Sequence, residues 1–379
     1  MLRALLGSER IQMIDPHTGI RVIQLTSFPA PSAHFLYDWP SITPDNRRVV
    51  FFCQRYAGRG APWDLFRCDT DGLNQFQLTE RGDHDEAGGY YGRPNSMLSL
   101  NGTTVYVVWG TSLCAVDVET GRTEELRSLE DVCPQGSVFG RIHISASGKR
   151  IFVSRYGDAV GTVRVDLASG AVEEIDLGGH LFACCRTEAR LVVQRGQVAW
   201  DTAETKNGVR RIINAGTQLG LWNTDEVGQD ARFFCPMMFA HATLLGRLST
   251  IQGCGLPPHR CIWTVEDGKE PQKLVEGPYF WHSGASFDGE WIVSDTNWPD
   301  MGLQLVHVPT RRFATLCHAG ATQDHVEFGH PHPALSQDGR IAVFRSDRTH
   351  VSQVYLAHIT DEFRERVKSG NLAGNDKWI

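Results

Sequence analysis

Cysteine pairs of the C-x-x-C kind are missing from this sequence, although it holds ten cysteines. That excludes a zinc ribbon and a thioredoxin-type motif. The thiols are scattered, with one adjacent pair at Cys184 and Cys185, so reduced thiols are expected rather than a disulfide framework. No apolar run reaches the length of a membrane-spanning helix. The opening Met1–Gly7 is too short an apolar stretch for a secretory signal. A cytoplasmic location without a membrane partner is therefore expected. Basic clusters are absent and the formal net charge is -7, which argues against nucleic acid, because phosphate binding needs clustered Lys and Arg. An anionic small substrate stays open, since local sign matters more than the total. G-x-S-x-G is absent too, so Ser283 and Ser286 carry no nucleophile elbow. Gly58-Arg59-Gly60 lacks a phosphate-loop pattern. Long amphipathic helices are lacking before the C-terminal tail.

What is present is a recurring β pattern. Val49–Cys53, Thr104–Val108, Arg150–Ser154, Arg190–Gln194, Leu248–Gln252, Glu290–Ser294 and Arg340–Phe344 all read as strands. Most follow a turn of the Asp-Asn, Asn-Gly, Ser-Gly or Asp-Gly kind, and they recur with the period of propeller blades. The 38 glycines suit such a turn-rich chain. Asp117-Val-Glu-Thr-Gly121 and Asp166-Leu-Ala-Ser-Gly170 mark turns into outer strands. The expected fold is all-β, a seven-bladed β-propeller forming a single domain over residues 1–379. Residues 18–25 should complete the last blade, because closing the ring removes an exposed edge. The stretch 361–379 reads as a short helical tail. Blade four, near His180–Arg190, is degenerate.

One repeat position stands out. Six residues before the turn residue lie Trp39, Asn95, Arg141, His282 and His332, with His241 slightly off register. Core positions favour small apolar residues, whereas large and mostly polar groups stand here, which reads as a site. The run Glu327-Phe-Gly-His330-Pro-His332-Pro333 is the sharpest part. Histidines two apart point to one side of a strand, and the prolines stiffen the backbone. Three imidazoles from His282, His330 and His332, with a carboxylate from Glu327, suit a divalent transition ion. His17, His84, His259 and His350 read as surface residues, and His34 and His143 as structural ones near inner strands. Asp324-His325 and residues 83–86 read as solvated loops. Tyr279, Trp281 and Trp298 crowd His282 in sequence and would either stack on a sugar or pack between blades.

With these residues in place, the chain resembles a known family. The H-P-H-P run in the last blade, the upstream His-x5-Asp-Gly blade and the opening Asp15-Pro-His-Thr-Gly19-Ile-Arg-Val-Ile-Gln-Leu25-Thr26 resemble oligogalacturonate lyase, a cytoplasmic seven-bladed propeller enzyme. The resemblance implies a divalent metal, Mn2+ above all, held by His282, His330, His332 and Glu327. The family has glutamine at this last position. The glutamate would bind the ion more strongly and remove one unit of charge. It also implies His241 as general base and Arg210 as the assisting arginine, with Arg211 as its rival.

The chemistry would be β-elimination on a small uronate oligosaccharide. A metal on the uronate carboxylate stabilises the intermediate, and a neutral histidine takes the C5 proton. Three other readings stand beside it. They are a lyase on another uronate, a metal-dependent hydrolase or lactonase, and a non-catalytic TolB-like binding propeller. The oligomeric state is not legible, and a fold alone does not decide a function.

Overall fold

A computed structural model describes residues 6–54, 56, 61–80, 94–176, 180–184, 190–195, 199–200, 212–214, 218–223, 232–237, 239–256, 259–297, 299–323 and 328–371. Their strands gather into seven sheets of four or five strands, with one two-stranded hairpin besides. The first sheet holds Ser32–Ala33, Arg48–Gln54, Trp63–Asp69 and Phe76–Gln77. The second holds Asn95–Leu98, Thr104–Trp109, Ser112–Asp117 and Thr123–Ser128, and the third Ser137–Ile144, Arg150–Gly157, Gly161–Asp166 and Val172–Ile175. His180–Cys184, Arg190–Arg195, Gln218–Asn223 and Arg232–Cys235 make the fourth. The fifth is Ala240–Leu244, Ile251–Cys254, Cys261–Val265 and Gln272–Glu276, and the sixth is Tyr279–Ala285, Trp291–Asn297, Leu303–His307 and Arg312–Cys317. First strands of successive sheets pack on one another, as Ser137–Ile144 does on Asn95–Leu98 and Tyr279–Ala285 on Ala240–Leu244. The architecture is an all-β β-propeller in a single domain, with these first strands around its centre.

The seventh sheet is built from both ends of the chain. Its order is Ile11–Ile14, Arg21–Gln24, Gln353–His358, Ile341–Ser346 and Ala334–Leu335. Val22 pairs with Ala357 and Ile23 with Leu356. Asp15 ties this junction to the sixth sheet: it accepts from the backbone N–H of His318 at 2.7 Å and from those of His17 and Thr18 at 2.9 Å. Thr18 Oγ1 donates to the Leu316 carbonyl at 2.8 Å. After the seventh sheet comes the helix Asp361–Ser369, capped by Thr360 and anchored by buried Phe363 and Val367.

Local chemistry explains the repeat. In the sixth sheet Ser286 Oγ donates to Asp288 at 2.5 Å and accepts from the Trp291 N–H at 3.1 Å, while Gly289 takes φ 73°. The seventh repeats this with Ser336, Asp338, Ile341 and Gly339. Each turn hands the chain from a first strand to a second strand. Second strands are packed on both faces; Trp291–Asn297 and Ile341–Ser346 are buried throughout. That is why each opens on an unbroken apolar run, Trp291–Val293 and Ile341–Phe344.

Two expectations need correction. The strand read at Leu248–Gln252 begins only at Ile251. The residues before it form a tight turn, with Leu248 N–H bonded to the Leu245 carbonyl and Leu245 N–H to that of Thr250. His330 and His332 do not sit on a strand, which spans only Ala334–Leu335. Two prolines without N–H groups cannot join a ladder, and His332 has φ 46°, outside the β region. The irregular fourth repeat also has a cause: the hairpin Ala199–Trp200 with Ile212–Asn214 is inserted between its second and third strands.

Three backbone segments meet at Gly284 without room for a side chain. A Cβ there would stand 2.4 Å from the Tyr37 carbonyl oxygen and 3.1 Å from that of Pro333. Gly284→Ala is therefore expected to destabilise the protein by about 1–3 kcal/mol through overpacking. Urea denaturation measures it, and an unchanged midpoint would contradict the close approach.

Candidate functional site

Four histidines converge at the centre, two from first strands of the fifth and sixth sheets and two from the segment just before the seventh. His282 lies 4.1 Å from His241 and 3.8 Å from His332, ring centroid to ring centroid. His330 is 5.5 Å from His282 and 5.9 Å from His332. His282, His330 and His332 are buried, while His241 keeps part of its surface accessible.

Irregular backbone aims these rings. His241 lies where the pairing of Ala240–Leu244 shifts between Ala240 and Thr243, and His282 where that of Tyr279–Ala285 shifts between Phe280 and Ser283. Such bulges turn a side chain out of the regular alternation. His241 and His332 also take positive φ, 52° and 46°. A non-glycine residue held there costs about 1–3 kcal/mol, and such strain collects at functional sites.

Asp295, on the second strand of the sixth sheet, holds the cluster together. Its carboxylate accepts from the His282 backbone N–H at 2.7 Å and from the His332 backbone N–H at 3.1 Å. Its second oxygen lies 2.8 Å from His282 Nδ1. An ionised Asp295 accepts a hydrogen bond from Nδ1–H of His282, which leaves the ring's lone pair on Nε2. Burial pushes the Asp295 carboxyl up to about 6, against the pull of the N–H donors and of His330 and Arg345. Fully buried Arg345 donates to His332 Nδ1 at 2.7 Å and to the His330 carbonyl at 3.3 Å. The same Nδ1 is 3.0 Å from that carbonyl. A guanidinium only donates and a carbonyl only accepts, so Nδ1 of His332 serves one of them at a time. Donation to the carbonyl leaves the lone pair on Nε2. Burial, with the nearby positive charges of His282, Arg345 and His330, holds His332 well below the usual imidazole range. The same holds for His241, through burial first and then His282, Arg141 and His330.

Other residues complete the wall. Tyr37 stands 5.7 Å from His241, 5.4 Å from His282 and 6.3 Å from His332. Trp281 meets His241 edge-on at 5.0 Å. Tyr279 instead packs under Arg260, at 4.5 Å. His34, read from the sequence as structural, places Nε2 3.3 Å from the carbonyl of Pro331, between the two last-blade histidines. Asp295, Arg345 and Tyr37 were missed altogether. Glu327, Arg210, Arg211 and Trp298 lie outside the described residues. Cys254, near Ser283, is buried and its thiol pushed up to about 12 by burial, so it is no nucleophile.

The fold is shared with solved structures. An oligogalacturonate lyase in complex with manganese superposes with a TM-score of 0.75 at 17% identity, covering 96% of this chain and 99% of that one. An oligogalacturonate lyase from Vibrio parahaemolyticus gives 0.75 at 15% identity, covering 95% and 99%. This chain has the oligogalacturonate lyase fold. The β-propeller domain of Cps50 (Swd1) from Myceliophteria thermophila matches less well, with a TM-score of 0.52 at 9% identity over 87% of this chain and 100% of that one. No protein-family profile and no curated protein matches the sequence.

The donor set suits a transition-metal ion chemically: three imidazoles, with His282 backed by a carboxylate and His332 held below its usual range. Among the described residues, however, no group of three His, Cys, Asp or Glu side chains is arranged to hold a metal ion. The His282 and His332 rings lie close and are tilted by 31°.

Asp295 satisfies three buried donors at once. Asp295→Ala is expected to lower the unfolding free energy by about 3 kcal/mol. Asp295→Asn should lose less, because its amide oxygen still accepts. Denaturant titration of both variants decides it, and an unchanged stability in Asp295→Ala would contradict the bracing role.

Proposed function

We propose that this protein is a metal-dependent lyase that cleaves small uronate oligosaccharides, oligogalacturonates first among them, by β-elimination. The observation that carries the reading is the convergence of His241, His282, His330 and His332 in one centre, on a fold shared with oligogalacturonate lyases. Each of the seven sheets is taken as one blade of a seven-bladed ring. His282, His330 and His332 would hold the ion, Mn2+ by preference, with Glu327 as the fourth ligand. A divalent cation there supplies positive charge that offsets a uronate carboxylate and makes the neighbouring C5–H more acidic.

This chain's own residues do the rest. His241 takes the C5 proton as general base, which requires the neutral imidazole that its surroundings favour. The C–H electron pair becomes the C4–C5 double bond, the C4–O bond breaks, and the departing oxygen takes a proton from solvent. Asp295 keeps the Nδ1 proton of His282 in place and fixes the backbone under His282 and His332. Arg210, with Arg211 as the rival, would steady the charge that develops on the substrate. Buried walls around the imidazoles limit water at the reacting carbon.

Two substitutions separate the roles. His330→Ala should lose Mn2+ binding and turnover together. His241→Ala should keep Mn2+ binding while turnover falls by about 100-fold or more. Calorimetric Mn2+ titration beside turnover of digalacturonate reads both. Full turnover in His241→Ala would remove it as the base, and unchanged Mn2+ binding in His330→Ala would remove it as a ligand.

A further inference from the structure

A second polar cluster adjoins the imidazoles at Tyr37. Its centre is Arg141, which donates to Asp38 at 3.0 Å and to the Tyr37 hydroxyl at 3.1 Å. His143 Nε2 is 3.7 Å from the same Asp38 carboxylate. Arg141, Asp38, His143 and Asn95 are all buried. With Trp39 they line a small cavity.

Three observations make this more than a structural ion pair. First, Arg141 occupies the same kind of place as the site histidines. The pairing of Ser137–Ile144 shifts between Phe139 and Ile142, so Arg141 sits in a first-strand bulge, as His241 and His282 do. Second, a buried ion pair is a poor stabiliser compared with apolar packing, yet Asp38, Asn95, Arg141 and His143 stand beside Leu36, Trp39 and Ile142 in the wall of this cavity. Third, the cluster joins the imidazoles through one side chain. Tyr37 receives Arg141 at its hydroxyl and meets His241, His282 and His332 with its ring. Asp38 and Tyr37 fix the plane of the guanidinium. A guanidinium held in a fixed plane is suited to receive a planar carboxylate. The cavity is too small for a whole sugar ring, and the Trp39 side chain in its wall offers a flat surface beside the guanidinium.

We propose that this cavity seats the carboxylate of a second uronate residue, held by Arg141 and Asn95, next to the sugar that reacts at the imidazoles. The inference rests on the lyase reading and deepens it: the substrate is recognised through two carboxylates, one at the imidazoles and one at Arg141. Arg141 then sets substrate affinity and chain-length preference and leaves metal affinity alone.

The test measures KM and kcat for digalacturonate, together with Mn2+ affinity, in the wild type, Arg141→Gln, Arg141→Lys and Asn95→Ala. Arg141→Gln should raise KM at least tenfold with Mn2+ affinity unchanged. Arg141→Lys should recover part of the loss, since it keeps the charge without the fork. Asn95→Ala should raise KM severalfold, and it decides the matter if Arg141→Gln does not fold. A wild type that cleaves digalacturonate while the folded variants keep its KM overturns the second subsite and leaves the lyase reading standing. A wild type that binds Mn2+ but neither binds nor cleaves digalacturonate overturns the lyase reading and this inference with it.

Discussion

The centre of this molecule depends on one buried carboxylate. Asp295 bonds the backbone of two different sheets, at His282 and His332, and also holds a ring nitrogen of His282. Burying a carboxylate is costly unless donors compensate it, and here three donors do so. The arrangement links the two blades and selects the tautomer of His282. Arg345 plays the complementary part from the seventh sheet, reaching His332 Nδ1 and the His330 carbonyl. The H-P-H-P segment has no strand ladder of its own, so this pair of charges fixes it instead.

Around that anchor, the propeller turns irregularity into function. Regular first strands would point alternate residues into the blade packing. Bulges at Arg141, His241 and His282, and positive φ at His241 and His332, break that alternation where the chain meets the centre. The remainder of each sheet is ordinary, with buried second strands and Ser-x-Asp-Gly turns supplying stability. A rigid scaffold of this kind can carry local strain because the cost is spread over many packed strands.

Much of the scaffold was legible in the sequence because its physics is local. Turn residues and short apolar runs announce strands such as Arg48–Gln54 and Trp291–Asn297, and the repeat period points to a propeller. The histidines were legible because they occupy repeat positions that core packing would give to small apolar residues. The strand geometry of His330 and His332 was not, because two prolines permit a looped path as readily as an extended one. Asp295 and Arg345 were hidden inside second strands, in Trp291-Ile-Val-Ser-Asp295-Thr-Asn297 and Ile341-Ala-Val-Phe-Arg345-Ser346. The available signal was a charge embedded in a run that should be buried on both faces, in the two blades that carry His282, His330 and His332. Such a charge demands a partner. Partners thirteen and thirty-seven residues away, as His282 and His332 are from Asp295, are set by tertiary packing rather than by pattern. In the fourth blade the strand Arg190–Arg195 was legible, while the inserted hairpin hid the rest of the repeat.

The most direct measurement is the ultraviolet absorbance of digalacturonate incubated with chelator-treated protein, before and after Mn2+ is added back. The account predicts no change without the ion, and a steady rise from the conjugated unsaturated uronate once it is restored. Protein that binds Mn2+ yet produces no rise with digalacturonate or trigalacturonate would contradict it.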